Sequence, residues 1–355
     1  LDFGGDSEPL VSADTGVKGT DAFVVSFDAN GAAEWSFAHS RNAMDEATGV
    51  RFAPNGDLVV QGQDATGVFV TRLDVSGNVQ WSNWTANANV ETGRVGIDND
   101  GRIVLSGSYS GSLNLAGAQL TRSGNSGYLV KLDADGDLLW AADAIPAGWT
   151  SATAAGLAVD DEDNIVVIGR GLHDSATPGA FIQKVTSNAD VFVATLLPAE
   201  LTLRSVAVDR NMRIVVAGTF DRDLTYNGQV HEVSSGSGAD VWVAQYTRES
   251  QLGWQKAFAS GTSGATVHAV AVDPFGNIVL TGNALELDTS IPKPRPEATY
   301  ALKLRPDGSY VWLQSFAPTS QGGALGIDNR GNSWLAGSAY VDPPGMYAFL
   351  FQIAP

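Results

Sequence analysis

The chain has no cysteine, which removes disulfides, thiolate metal sites and cysteine nucleophiles together. Charge is also sparse. Only 17 % of the 355 residues are charged, 21 basic against 39 acidic, for a formal net charge of −18. Such a surface repels phosphate backbones and anionic lipid heads, so no nucleic-acid partner is expected. No apolar run approaches the ~20 residues of a membrane-spanning helix, and no membrane insertion is expected. No stretch longer than a turn carries helical periodicity, so no glycine loop opens a helix to cradle phosphate. Gly107-Ser-Tyr-Ser-Gly111 has the spacing of a nucleophile elbow, but it sits at a strand exit rather than a strand-to-helix turn. The four histidines, His39, His173, His231 and His268, are far apart in sequence, and none has a partner at metal-ligand spacing. These absences lead to the expectation of a protein that is not an enzyme and holds no cofactor.

What the chain has instead is turn chemistry and repetition. Its 40 glycines stand among Ser, Thr, Asn and Asp, the residues that build turns. One half-unit is an apolar run, an Asp-rich turn and a second run ending in Gly, as in Val95-Gly-Ile-Asp-Asn-Asp-Gly-Arg-Ile-Val-Leu-Ser-Gly107. It recurs at residues 49–62, 156–169, 205–218, 269–282 and 324–337. The other half-unit is Asp21-Ala-Phe-Val-Val-Ser-Phe-Asp-Ala-Asn-Gly-Ala-Ala-Glu-Trp35, repeated near residues 67, 127, 180, 240 and 299. Residues 346–355 repeat only its first strand.

Each half-unit reads as a β-hairpin, with Asp bonding its own backbone and Gly at the positive-φ position. Two hairpins give four strands in roughly 45 to 65 residues, the size of a propeller blade. The run before the Asp turn, Ala269-Val-Ala-Val-Asp273 for example, is short and built of small residues, which suits the crowded innermost strand. The repeated tryptophans Trp35, Trp81, Trp140, Trp254 and Trp312 suit the outer strand, as packing between blades. The expected fold is therefore all-β: one β-propeller domain over residues 1–355, made of four-stranded antiparallel blades. Six innermost strands favour six blades, with residues 21–37 closing the last blade beside 324–338 and a spare strand left at the C-terminus. Seven blades remain the alternative.

Residues 21–35, 128–140 and 271–282 resemble the bacterial families that carry the so-called seven-bladed β-propeller repeat. Leu1-Asp-Phe-Gly-Gly5 is similar to that repeat's inter-strand loop. The resemblance covers nearly the whole chain. It implies a propeller and an exported or cell-surface protein, and little about activity. The repeat at 180–193 departs from the pattern, lacking both the Asp-x-x-Gly turn and the Trp.

Several residues stand out as functional candidates. The residues entering the innermost strands are unlike from repeat to repeat: Thr48, Gly93, Ala154 or Ala155, Arg204 and His268. Arg204, His268 and nearby Glu91 are the polar members expected at a channel mouth. Trp84 and Trp149 lie off the regular Trp position, in loops where aromatics stack on sugars or anchor partners. Asp133, Asp135 and Asp137 alternate as calcium ligands do, although a hairpin turn explains them equally. The insertions 109–126, 219–239 and 284–298, the last with Ile291-Pro-Lys-Pro-Arg-Pro296, read as variable loops.

Together these features predict an extracellular or cell-surface module that recognises a polysaccharide or a surface protein through one loop face. Two alternatives stand beside it. One is a structural subunit that offers residues 346–355 for strand addition. The other is a propeller lyase or hydrolase at the central channel.

Overall fold

The computed structural model describes residues 21–354, apart from 29, 41–44, 65, 86–88, 175, 235–237, 261–263, 285–297, 319 and 342–344. Leu1 to Gly5 and the Pro-rich insertion at 291–296 lie outside the described residues. The chain divides into two compact units, Leu1–Ala154 and Ala155–Pro355.

In the first unit, β1 (Ala22–Phe27) and β2 (Ala33–His39) form a two-stranded sheet. β3 (Glu46–Phe52), β4 (Leu58–Asp64), β5 (Gly67–Leu73) and β6 (Val79–Trp84) form a four-stranded antiparallel meander. A second meander follows with β7 (Val90–Ile97), β8 (Ile103–Leu115), β9 (Ala118–Leu132) and β10 (Leu138–Asp143). β11 (Trp149–Val159) crosses into the second unit and pairs with β12 (Ile165–His173), β13 (Thr177–Val185) and β14 (Val191–Leu197). Next come β15 (Leu201–Val208) and β16 (Ile214–Phe220), then the small hairpin of β17 (Leu224–Tyr226) and β18 (Gln229–His231), then β19 (Asp240–Tyr246) and β20 (Leu252–Phe258). The blade order here is β15-β16-β19-β20. β21 (Ala269–Val272), β22 (Ile278–Ala284), β23 (Ala298–Leu304) and β24 (Tyr310–Pro318) make the fifth meander. β25 (Ser320–Ile327), β26 (Ser333–Val341) and β27 (Gly345–Ile353) make a three-stranded sixth.

The fold is thus an all-β propeller of six blade sheets, five with four strands and one with three, and it has no helix among the described residues. The expected closure by residues 21–37 is not the one adopted. β26 pairs instead with β27 from Ser333↔Ile353 to Val341↔Gly345. The C-terminal strand, expected to be spare, therefore fills the third-strand place. Its sequence, Tyr347-Ala-Phe-Leu-Phe, carries the same pattern as the other third strands and competes for the same pairing.

The second and third strands of each full blade are buried on both faces, so they read as continuous apolar runs rather than alternating ones. β5, β16 and β19 are buried at every position. The insertion at 109–126, expected as a loop, is a hairpin that prolongs β8 and β9 and turns at Ala116 and Gly117, both at positive φ. Leu113, Leu115 and Ala118 fold back into a core shared with Val68 and Val90, and this burial keeps the hairpin ordered.

Two devices hold repeats together. The first lies inside a blade. The Asp that opens the first hairpin turn accepts the N–H groups of the residues two and four positions on, as Asp160 does from Glu162 and Asn164. Its second oxygen meets a buried lysine from the third strand: Lys131–Asp98 at 2.8 Å, Lys184–Asp160 at 2.7 Å and Lys303–Asp273 at 3.0 Å. The second device lies between blades. Trp35, Trp81 and Trp254 each donate Nε1–H to a carbonyl in the next repeat's second turn, at Val75, Ala134 and Pro306. Each indole also covers that turn's glycine, Gly77, Gly136 and Gly308. All three glycines have positive φ, so a side chain there would be strained as well as crowded.

Candidate functional site

The innermost strands carry a recurring irregularity. Opposite the strand-end glycines of β4, β8, β16 and β26, the register slips at Ala47/Gly49, Thr92/Val95, Leu203/Ser205 and Gly322/Ala324. The slip is forced. A Cβ on Gly62, Gly107 or Gly218 would lie within about 2.4 Å of a carbonyl oxygen of the facing strand. Each slip leaves residues outside the ladder, namely Thr48, Gly93 with Arg94, Arg204 and Gly323. A β-bulge bends its strand and re-aims the side chain it extrudes. The bulges therefore present the residues at which the repeats differ most.

In the first unit the bulge of β7 extrudes Arg94, whose charge acts on Arg51, an in-register residue of β3. Thr48 Oγ1 and Thr92 Oγ1 are 3.0 Å apart across β3 and β7. Arg94 donates Nη1–H to the Gly93 carbonyl at 3.3 Å and reaches the Thr48 carbonyl at 3.5 Å. Ser106 fixes the bulge: its hydroxyl accepts the Arg94 N–H and donates to the Arg94 carbonyl, both at 3.1 Å. Arg51 keeps exposed surface, yet enough protein surrounds its guanidinium that burial first, and the charge of Arg94 second, pull it below the usual arginine range. Burial does the same to Arg94. Two like charges crowded in this way favour an anion between them.

The second unit repeats the theme with Arg204 and His268. Arg204 is the exposed bulge residue of β15. His268 precedes β21, half-buried, with Nε2 3.2 Å from Thr266 Oγ1. Burial, and then the Arg204 charge, hold the imidazole below its ordinary value of 6.5, so it is neutral at pH 7 and stands beside a fixed cation.

The other sequence candidates fall elsewhere. Glu91 is exposed on β7 in the first unit. Trp84 ends β6 and is 50 % exposed, whereas Trp149 opens β11 and is 5 % exposed. Trp149 is therefore a packing residue, not a loop platform. Asp133 Oδ1 accepts the N–H groups of Asp135 and Asp137, the same turn that Asp74 makes with Ser76 and Asn78. The structure does not bring those three carboxylates together as a cation site. Among the described residues, one set of three has its ligand atoms within 4.8 Å of one another: His39, Asp45 and Asp64. Sequence spacing missed it because its members come from three different strand ends. Arg94 was missed because the repeat does not mark a bulge in sequence, and Arg51 because it occupies an ordinary in-register position of β3.

No family model matches the sequence, and neither does any curated protein. Solved structures are similar in fold. A protein of unknown function from Dyadobacter fermentans aligns with a TM-score of 0.53 at 10 % identity, over 93 % of this chain and 97 % of that one. An ulvan lyase of polysaccharide lyase family PL25, bound to -[GlcA(1-4)Rha3S]-, aligns with a TM-score of 0.50 at 11 % identity, over 85 % and 78 % of the two chains. A gluconolactonase from Xanthomonas campestris aligns with a TM-score of 0.46 at 15 % identity, over 86 % of each. At these identities the likeness is one of fold. It overturns the expectation of a non-enzyme, which rested on a missing nucleophile elbow and missing cofactor motifs. A polysaccharide lyase has a similar fold, so the expectation does not stand. What the comparisons establish is a similarity of fold to proteins that include a polysaccharide lyase.

Proposed function

We propose that the protein recognises an anionic polysaccharide at its innermost strands, acting outside the cell or at its surface. The observation that carries this reading is found in each unit by itself, Arg51 with Arg94 on the inner strands of the first and Arg204 with His268 on or beside those of the second, in a chain whose net charge is −18. An acidic protein repels a polyanion unless it concentrates cations where the polymer docks. Guanidinium groups match carboxylate and sulfate geometry with two parallel donors. The PL25 ulvan lyase of similar fold holds a glucuronate- and sulfate-bearing polymer, the same ligand class.

The test is binding of the intact chain to polyglucuronate, a sulfated glucuronan and neutral dextran across a salt series. Selective, salt-sensitive binding of the charged polymers is expected. It should weaken about tenfold or more in Arg94→Gln and in Arg204→Gln, since a hydrogen bond to a charged group contributes ~1.5–3 kcal/mol. Equal retention of dextran, or charged-polymer binding untouched by both substitutions, would refute the proposal.

The neutral His268 beside Arg204 supports a second reading, a uronate lyase. Arg204 would hold the substrate carboxylate. His268 would take the proton from the carbon next to that carboxylate, the C–H electron pair would form the double bond to the adjacent carbon, and the glycosidic oxygen would leave that carbon and take a proton from water. Appearance of unsaturated-uronate absorbance, lost in His268→Gln with binding retained, distinguishes a lyase from a binder.

A further inference from the structure

The set of His39, Asp45 and Asp64 lies in the first unit, at the end of β2, just before β3 and at the end of β4. It is separate from the arginines on which the proposed function rests. All three side chains are withdrawn from solvent: Asp45 is 3 % exposed, and the His39 and Asp64 side chains are 12 % and 3 % exposed. Two carboxylates brought this close in a largely dry site repel one another, and a cation between them removes that cost.

The geometry is prepared on both sides. Asp64 uses one oxygen for structure. Its Oδ1 accepts the Thr66 N–H at 2.7 Å, the Thr66 hydroxyl at 2.5 Å and the Gly67 N–H at 3.0 Å. That triple anchor fixes the carboxylate plane and turns Oδ2 toward His39 Nε2, 4.0 Å away. This separation exceeds a hydrogen bond and is short enough for one ion to bridge. The imidazole is fixed in turn by stacking on Phe69, with ring centroids 3.7 Å apart and planes 15° apart. Such outer contacts, which orient metal-binding groups, are characteristic of built sites.

Carboxylates at comparable strand ends behave differently. Asp143, which ends β10, is held by Tyr109, Ser126 and Arg122. Asp240, which opens β19, is held by the backbone and hydroxyl groups of Ser234 and Ser260. Hydroxyls and a guanidinium surround those two, whereas Asp64 Oδ2 faces an imidazole nitrogen and a second carboxylate.

We propose that His39, Asp45 and Asp64 bind a divalent first-row transition ion, zinc or manganese, as a three-ligand site with an open position for water. One imidazole nitrogen with two carboxylate oxygens suits these ions. Calcium prefers six to eight oxygens. Donor atoms in a shell of ~2.1 Å bonds stand roughly 3–3.5 Å apart, so the set contracts by about 1 Å on loading, within reach of side-chain rotation. Three protein ligands leave the fourth place to water, the arrangement of ions that act on substrates rather than only brace a fold.

The test uses the full chain, stripped with chelator and titrated calorimetrically with Zn²⁺, Mn²⁺ and Ca²⁺, with bound metal counted after dialysis. One equivalent of Zn²⁺ or Mn²⁺ is expected, with Ca²⁺ bound at least tenfold more weakly. Asp45→Asn and His39→Gln should each weaken that equivalent tenfold or more. A circular-dichroism spectrum matching the parent establishes that each variant is folded. Asp133→Asn, in a turn outside the set, should leave binding unchanged. Failure of the parent to retain any ion, or an equivalent that survives both ligand substitutions, would overturn the assignment. Polysaccharide binding measured on the same stripped protein reports on the arginines alone, so the two proposals fail separately.

Discussion

Replacing Lys184 with methionine tests the buried clasp that joins the first and second hairpins of a blade. Lys184 Nζ lies 2.7 Å from Asp160 Oδ2, and the two side chains are 3 % and 0 % exposed. Asp160 also accepts the side-chain amide of Asn164 at 3.1 Å on both oxygens, so the carboxylate keeps its polar contacts when the lysine goes. What it loses is its counter-charge. Removing one partner of a buried pair costs about 3–5 kcal/mol, mostly because the remaining charge is stranded. The Asn164 amide and the turn N–H groups place Lys184→Met near the lower end, ~3 kcal/mol. For a unit of this size that is a fall of roughly 6–12 °C in Tm, readable by circular dichroism or scanning calorimetry. The double variant Asp160→Asn with Lys184→Met leaves no stranded charge, and it should recover at least half of the loss, since apolar replacements of buried pairs are often near neutral. A loss below about 1 kcal/mol in the single variant would refute this account. So would a double variant as unstable as the sum of its parts, because either result would mean that water reaches Asp160 and screens it.

Two other outcomes follow from the same contacts. Gly308→Ala would put a Cβ 3.0 Å from the Trp254 ring at φ +77°, and it should cost about 1–3 kcal/mol, with the loss read by urea unfolding. Asp273 is held below its ordinary 3.8: burial raises it, but the Asn277 hydrogen bonds and Lys303 outweigh burial. A lowered folded-state value means that its stabilising contribution is complete above pH 3.8 and is lost as pH falls through the lower folded value. Asp273→Asn should therefore flatten the acid limb of the stability curve, and an unchanged limb in acid titration would count against the clasp.

The blade plan was legible because its signals are local. An Asp with a glycine three residues on specifies the turn, and a Trp seven residues after the Asp of the second turn marks the outer strand, as in Asp28 and Trp35 or Asp133 and Trp140. Contacts that depend on register were not legible. Lys131 stands thirty-odd residues from Asp98, and only the pairing of Val104 with Lys131 brings it to the turn. The bulges were hidden for the same reason. Thr48, Arg204 and His268 could be aligned by repeat, but that the first two leave the ladder shows only in the register against the neighbouring strand. The insertion at 109–126 looked like a loop because its polar alternation masks Leu113 and Leu115. The last strand was misassigned because residues 22–27 and 347–353 carry the same pattern, and sequence does not choose between two equal claimants to one edge. The His39 set was invisible, since its three members share no spacing rule.

The tryptophan joint has a bearing on how such a chain grows. Each repeat supplies an indole to the repeat after it and offers its own turn glycine to the repeat before, as the pairs Trp35–Gly77, Trp81–Gly136 and Trp254–Gly308 show. Knob and socket are therefore encoded in a single repeat length of sequence but engage different neighbours. Tandem duplication of one repeat creates a new joint already matched on both sides, with no compensating change elsewhere. Loss of the knob, as in the Val193 repeat, weakens one joint and leaves the others intact. Lengthening by copying is thus the change that this architecture tolerates most readily, and the bulge residues, outside both joints, are left free to diverge.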